Sequence, residues 1–552
     1  MGSSSSTGQE EVSGTEQRHV PPKDTVVDPE RVKAKKGSIA VSGRYCTSRP
    51  LSADYKVESK VVGSGMSGPV QLATGIADGR KYAVKSFKKK GLSTRKRKEL
   101  KSEVEIYLQL DHPHVARLEM VFETDDEIHI VMEFMAGGEL YDRLSEQKKY
   151  SEQLAASTTY QMLLAVGYLH ANSCAHRDLK LENFLYESKD TDHLKLIDFG
   201  FAKFWDRSTK MEQACGSVHY VAPEVLAHAY TEKADMWSLG IIVYMLLTGS
   251  PPFHGSDDEV LRKIRSGKPQ YSSRFQRLSE NAKGFVKSLL VLDPDERLSA
   301  VQALDHPFVK EREVGESVID MDIVKSLQSY AHASHFKRAC YSMMAWSLTQ
   351  EHRCELRQQF LALDRERKGT ITHSELMHIL SDNFHIDSDE AERLFRSLDT
   401  DNDGEIAYSD FLAGVMQDRI CLHEDVLRKT FSRFDEDQNG CITVEDLRKV
   451  LGDSFEGEDL EDLIKDADAN KDGSVSYDEF LMYFKGPDAA ETPAQRDRKR
   501  KNTEKMAGVL DSLMPDHADD VSPLCTGTKT PMMRPKPGTP FSGMTPQHAG
   551  SS

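Results

Sequence analysis

Asp178 and Asn183 stand five residues apart in the run His176-Arg177-Asp178-Leu179-Lys180-Leu181-Glu182-Asn183. A carboxylate and a carboxamide at that spacing put a proton acceptor beside a substrate hydroxyl and a Mg²⁺ ligand behind it, which is what phosphoryl transfer from ATP requires. Lys180, in the same run, is grouped with Asp178 as catalytic. Asp198-Phe199-Gly200 adds a second metal-binding carboxylate in Asp198, and Ala222-Pro223-Glu224 closes the segment that follows. Upstream, Gly63 to Val70 reads G-x-G-x-x-G-x-V. Val62, Gly63, Gly65, Gly68 and Val70 would frame a turn whose glycines let the backbone approach phosphates without a Cβ clash. The string alone also suits a dinucleotide fold, but here a strand follows it, not a helix. Ala83-Val84-Lys85 then ends a strand on a lysine suited to the α- and β-phosphates. Glu103, on a predicted helix, is its expected ion-pair partner. Glu99 shares that face, whereas Glu105 points nearly the opposite way. Any one of these strings is a charged loop; four in this order describe one machine.

A second set of residues is built to hold hard cations. The calcium-loop pattern needs oxygens at positions one, three, five, seven, nine and twelve, with glycine at six. Loops start at Asp364, Asp399, Asp435 and Asp468, at intervals of 35, 36 and 33 residues, a true repeat. Loop two offers Asp399, Asp401, Asp403, the Glu405 backbone and Asp410. Loop three offers Asp435, Asp437, Asn439, the Cys441 backbone and Asp446. Loop four, with Asp468, Asn470, Asp472, Ser474 and Glu479, satisfies every position. Loop one keeps Gly369 and Glu375 but puts Lys368 at position five, where a cation opposes Ca²⁺, so it is expected to be structural. Loops two and three end in Asp, about 1.5 Å shorter than Glu, which predicts lower affinity or more Mg²⁺ occupancy. Apolar residues at position eight (Ile406, Ile442, Val475) predict ribbons pairing loop one with two and loop three with four.

These sites need several domains to position them, and 552 residues supply enough chain. The net charge of −17 argues against nucleic acid as the main partner. The eight cysteines show no C-x-x-C spacing and read as free thiols of a reducing, cytoplasmic compartment. The longest apolar run, Leu239 to Leu247, is too short to span a bilayer. Residues 1–50 are polar and without periodicity, and read as disordered. Residues 55–309 run from alternating strands to helical patterns. A junction occupies 310–350, the four repeats 353–485, and a Pro/Thr-rich, mostly disordered tail 486–552. The start M-G-S-S-S-S fits the myristoylation pattern with Gly2 as acceptor, and equally the start of an expression tag. One acyl chain gives weak membrane association; Arg31, Lys33, Lys35 and Lys36 either add attraction to anionic lipid or form a solvated linker.

Residues 55–309 resemble a eukaryotic protein kinase domain of the calcium/calmodulin-dependent class. With the repeats attached, roughly residues 50–485 resemble the calcium-dependent protein kinases of plants and protists. The resemblance implies an α+β fold: a bilobal kinase followed by an all-α, calmodulin-like domain of four EF-hands. It implies ATP, Mg²⁺ and Ca²⁺ as cofactors, Met132 as gatekeeper, and Glu133 to Met135 as the adenine-binding hinge. It further implies Glu139 and Glu182 as readers of a basic residue upstream of the target Ser or Thr, Asp235 as structural, and an Arg297–Glu224 pair. Ser67 departs from the usual aromatic at the glycine-loop tip, and Leu181 from a common proline. The usual phospho-acceptor position falls on Gln213, so Glu212 is a candidate fixed charge for Arg177, set against a plain solvated side chain.

The junction holds Val324, Leu327, Phe336, Cys340, Met343, Met344 and Trp346 beside Lys337 and Arg338. Apolar residues at helical spacing flanked by bases suit a helix laid in an EF-hand groove. The expectation is a monomer in which this segment blocks the catalytic domain until calcium-loaded lobes grip it. Two other readings use the same residues: a calcium-sensing scaffold with an inactive catalytic domain, and an enzyme switched mainly by activation-loop phosphorylation.

Overall fold

The computed structural model describes residues 25–65, 68–312, 319–419 and 424–485. Two short helices, α1 (Pro29–Lys36) and α2 (Ser38–Ser42), precede a six-stranded sheet. Its strands are β1 (Tyr45–Cys46), β2 (Tyr55–Gly65), β3 (Gly68–Gly75), β4 (Lys81–Lys88), β5 (Leu118–Glu123) and β6 (Glu127–Glu133), in the spatial order β1-β5-β6-β4-β3-β2. β1 runs parallel to β5, and the other neighbours are antiparallel. One long helix, α3 (Thr94–Gln109), starts where the Ser93 hydroxyl accepts the Lys96 N–H, and buries Leu100, Glu103, Val104 and Tyr107.

The second half of the catalytic region is helical. The run Leu239–Leu247 lies in the helix Lys233–Thr248, which is buried on almost every side and is therefore a core helix. No helix among the described residues is long and apolar enough to cross a membrane.

Four helix–loop–helix units follow in two pairs. Gln350–Leu363 and His373–Phe384 flank loop one, and Ser388–Leu398 and Tyr408–Arg419 flank loop two. Glu424–Phe434 and Val444–Leu451 flank loop three, and Leu460–Lys465 and Tyr477–Lys485 flank loop four. Position eight pairs the loops as expected, Ile371 with Ile406 and Ile442 with Val475. The α+β order, a bilobal catalytic region then helical pairs, is the one read from the sequence.

Two segments differ from expectation. Residues 29–46, read as disordered, form α1, α2 and β1. Their polarity concealed a few apolar anchors: Val26, Val27, Val32 and Val41 are buried. The buried Glu123 carboxylate accepts the N–H groups of Val26 and Val27 and the Tyr45 hydroxyl. The junction, read as one helix, is two, Met321–Ala331 and His335–Ala345, because the Ser334 hydroxyl accepts the Lys337 N–H and starts a new helix. Gly2, the Met66–Ser67 tip, Glu313 and the tail with its Thr-Pro pairs lie outside the described residues.

Candidate functional site: a catalytic cleft and its calcium loops

The glycine string bends from β2 into β3, with Gly63 opposite Val70 and Gly65 opposite Gly68. β4 delivers Lys85, whose Nζ lies 2.5 Å from Glu103 Oε1 and 3.4 Å from Asp198 Oδ1. Glu99 instead pairs with Arg95 on the outer face. Burial works against charge on Lys85, but the two carboxylates hold its pKa above the ordinary lysine value.

Asp178 receives Lys180 Nζ at 2.8 Å and the Ser217 hydroxyl at 2.9 Å. Asn183 Nδ2 donates to the Asp178 carbonyl at 2.8 Å, which leaves its amide oxygen as the atom suited to a metal. Buried Asp235 fixes this loop by accepting the N–H groups of His176 and Arg177 at 2.9 and 2.8 Å. Asp198 takes φ +62°, sparsely populated outside glycine, and accepts the Gly200 N–H at 3.2 Å. Arg297 grips Glu224 at 2.6 and 3.1 Å. Glu139 stands at the N-cap of Leu140–Gln147 and bridges to Leu185, three residues beyond Glu182.

In the activation segment the structure favours the solvated reading of Glu212 over the fixed charge. Arg177 donates to the Phe201 carbonyl at 2.6 Å and to the Tyr230 hydroxyl at 3.2 Å, and Tyr230 donates to the Gln213 carbonyl at 2.7 Å. Glu212 is exposed, and its carbonyl bonds His228. Tyr230, not Glu212, ties Arg177 to the segment. No local pattern marks a tyrosine 53 residues downstream for that task.

In every calcium loop the first aspartate accepts the N–H groups of positions five and six, at 2.8–3.3 Å. The last position separates the loops. Glu375 reaches the N–H of Glu366, and Glu479 that of Asn470, both at position three. Asp446 bonds Thr443, and Asp410 bonds Ala407 and the Thr400 hydroxyl; neither makes the position-three bond. Loop two sets one oxygen from each of Asp399, Asp401 and Asp403 within 4.8 Å of one another, a donor set that fits a hard divalent cation. In loop one, Lys368 Nζ lies 2.5 Å from Glu366 Oε2, and burial pushes the Asp364 carboxyl up to about 7.

Comparison with known proteins agrees with this geometry. Residues 55–309 match the protein kinase domain model, and 353–416 and 424–485 each match the EF-hand domain pair. Calcium-dependent protein kinase 17 of Arabidopsis thaliana is 33% identical over 496 residues, 88% of this chain and 92% of that protein. Calcium-dependent protein kinase 8 of the same plant is 35% identical over 470 residues, 83% and 88% of the two chains. Calcium-dependent protein kinase 5 of Plasmodium falciparum is 33% identical over 448 residues, 79% and 78%.

The chain belongs to the calcium-dependent protein kinases. It is a calcium-activated serine/threonine kinase that works with ATP, Mg²⁺ and Ca²⁺ on protein substrates.

In this kinase the EF-hand region is fastened to the catalytic region by buried charges that the sequence reading missed. Glu133, expected at the hinge, turns its carboxylate to Lys195 at 2.6 Å, Arg353 at 2.8 Å and the Arg117 N–H at 2.7 Å. Burial opposes its charge, but Lys195 and Arg353 hold it well below the usual carboxylate range. Arg357 pairs with Glu187 at 3.0 Å. The second EF pair reaches the sheet: Asp425 meets Arg80 at 2.5 Å, and Lys429 lies 3.5 Å from both Asp78 and Glu119. The guanidinium groups of Arg44 and Arg117 both lie over the ring of Trp346, at the end of the junction, 3.6 and 4.5 Å from its centroid. One clue was available: Arg353 and Arg357 share the apolar face of their helix with Leu356, Phe360 and Leu363.

The junction helix His335–Ala345 buries Phe336, Cys340, Met343 and Met344 in the apolar core of the EF-hand region. Arg338 forks onto Glu456, which a tight ribbon, Ser454–Phe455 against Glu458–Asp459, presents. Lys337 lies over the Tyr341 ring. The six cysteines among the described residues are all free thiols.

Proposed function

We propose that the gripped junction is the active arrangement of this kinase. Without calcium the junction would block the catalytic region; once the EF pairs close on Phe336, Cys340, Met343 and Met344 it is withdrawn. The observation that carries this reading is the burial of that helix in the EF-hand core while the Lys85–Glu103 pair is made. Bound calcium supplies the cross-links that set the EF helices. The chain's own part is to hold the hinge from behind through Glu133, Arg353, Glu187 and Arg357. A near-complete switch needs about 5.5 kcal/mol of differential binding, within reach of two or three calcium sites.

In the cleft, Asp178 accepts the proton of the substrate hydroxyl and Lys180 steadies the charge beside it. Lys85, held by Glu103, takes the α- and β-phosphates. Asn183 and Asp198 hold Mg²⁺. The strip Val62, Gly63, Gly65, Gly68 and Val70 covers the nucleotide, and the backbones of Glu133 and Met135 meet its base. Glu139 and Glu182 select a basic residue upstream of the target. Loops two, three and four hold calcium, and filling of loops three and four suffices for the grip on the junction. The enzyme acts as a monomer, and myristoylated Gly2 gives weak attachment to anionic vesicles, checked by comparing Gly2→Ala in a sedimentation assay.

The decisive measurement is phosphorylation of a basic Ser peptide against free Ca²⁺. The full chain should rise steeply, and a chain ending near Glu313 should show activity indifferent to calcium. A calcium response in the truncated chain overturns cis regulation. Asp178→Asn should bind ATP normally and lose activity by at least about a thousandfold; near-normal turnover would remove Asp178 from its role.

A further inference from the structure

Lys36 ends α1, and its ammonium group lies against loop two. Nζ is 3.3 Å from Asp403 Oδ2 and 3.8 Å from Asp401 Oδ2, the position-five and position-three carboxylates. Both belong to the trio whose oxygens converge within 4.8 Å. The approach is built into the backbone. Gly37, at φ +74°, turns the chain directly after Lys36, and a Cβ there would stand 3.6 Å from Asp401 Cβ. The Gly37 N–H closes α1 on the Lys33 carbonyl at 2.9 Å. Beyond the turn, Ile39 enters the apolar core of the EF-hand region and Val41 that of the catalytic region. At the other end, the Asp28 side chain accepts the Arg31 N–H. The lysine is thus aimed from both sides. Its neighbours have other partners, since Lys33 pairs with Glu30 and Lys35 lies over the Phe204 ring.

We propose that Lys36 is an in-chain counter-ion of the loop-two cation site, and that it must withdraw when calcium enters. An ammonium and a divalent ion in contact with the same two carboxylates repel one another. A calcium ion also needs oxygens that the ammonium now engages. Two consequences follow. Loop two binds more weakly than its ligand set alone dictates, beyond the effect of its short Asp410. Occupancy of loop two also frees the end of α1, so the calcium signal reaches the N-terminal segment as well as the junction. This inference rests on reading loop two as a calcium site.

The test is calorimetric calcium titration of the full chain, with Asp399→Ala to identify which binding step belongs to loop two. Lys36→Met keeps the aliphatic stem and removes the charge; it should tighten that step about tenfold. Lys36→Arg, which restores a cation, should leave it near the parent value. Hydrogen exchange of amides 29–42 should quicken with calcium in the parent chain and be fast without it in Lys36→Met. An unchanged or weakened loop-two step in a folded Lys36→Met chain overturns the proposal. If Asp399→Ala removes no binding step, the calcium reading of loop two fails instead, a separate result.

Discussion

Loops one and two are paired through Ile371 and Ile406, yet their counter-ions come from distant parts of the chain. Each sets a lysine against ligand-position carboxylates: Glu366 at position three in loop one, and Asp401 and Asp403 at positions three and five in loop two. In loop one the lysine is Lys368, part of the loop and 2.5 Å from Glu366. In loop two it is Lys36, carried by a helix 367 residues away from Asp403. A cation fixed within the loop cannot leave it, and the loop becomes a fastening. A cation brought by another element can be exchanged. Surroundings repeat the contrast. A Cβ on Gly369 would lie 2.6 Å from atoms of both His112 and Tyr168 in the catalytic region, whereas nothing lies within 4 Å of one on Gly404. Loop one packs closely on the catalytic region at Gly369, and loop two at Gly404 does not.

The largest effect on the calcium response is expected in a loop without that compromise. Glu479→Gln should raise the calcium needed for half-maximal activity tenfold or more, about 1.4 kcal/mol at least, because loop four loses its only long position-twelve carboxylate. The calcium dependence of peptide phosphorylation reads it, and an equal shift in Glu375→Gln would erase the distinction between the loops.

Next comes packing. Gly369→Ala combines a left-handed backbone with contacts against His112 and Tyr168, and should cost about 2–4 kcal/mol. Gly404→Ala meets only the backbone cost, about 1–2 kcal/mol. Thermal unfolding of the two variants should therefore differ by several degrees; equal shifts would mean that loop one does not dock in solution.

A gain is expected from Lys368→Asp. With an oxygen at position five and Glu375 already reaching back to position three, calorimetry should count one more calcium ion per chain. No added site would show that docking, not Lys368, disables the loop.

The smallest effect is that of Glu375→Gln. It should leave the calcium threshold unchanged and lower stability by about 1 kcal/mol, through the weakened bonds to Glu366 and Thr372. Differential scanning calorimetry alongside the activity titration separates the two readouts.

What was legible in the sequence is what chemistry writes locally. The run from His176 to Asn183 and each calcium loop are contiguous, so residue type and spacing imply the geometry that the structure contains. The period of position eight likewise told which loops pair. Less was legible where polar composition masked anchoring. Residues 29–46 fold because four valines and a buried glutamate hold them. The choice between the two readings of Glu212 was open for a related reason, since the partner of Arg177 depends on where Tyr230 arrives after folding.

By itself, then, the sequence determined the family, the α+β order and which calcium loops pair. Each follows from side chains whose function is set by near neighbours along the chain. Only the tertiary structure decided where the EF-hand region sits, that Glu133 serves Lys195 and Arg353, and that Lys36 meets Asp401 and Asp403. These contacts join residues 62, 220 and 367 positions apart. An ion pair has no periodicity to announce it, and its partner is chosen by the folding of everything between.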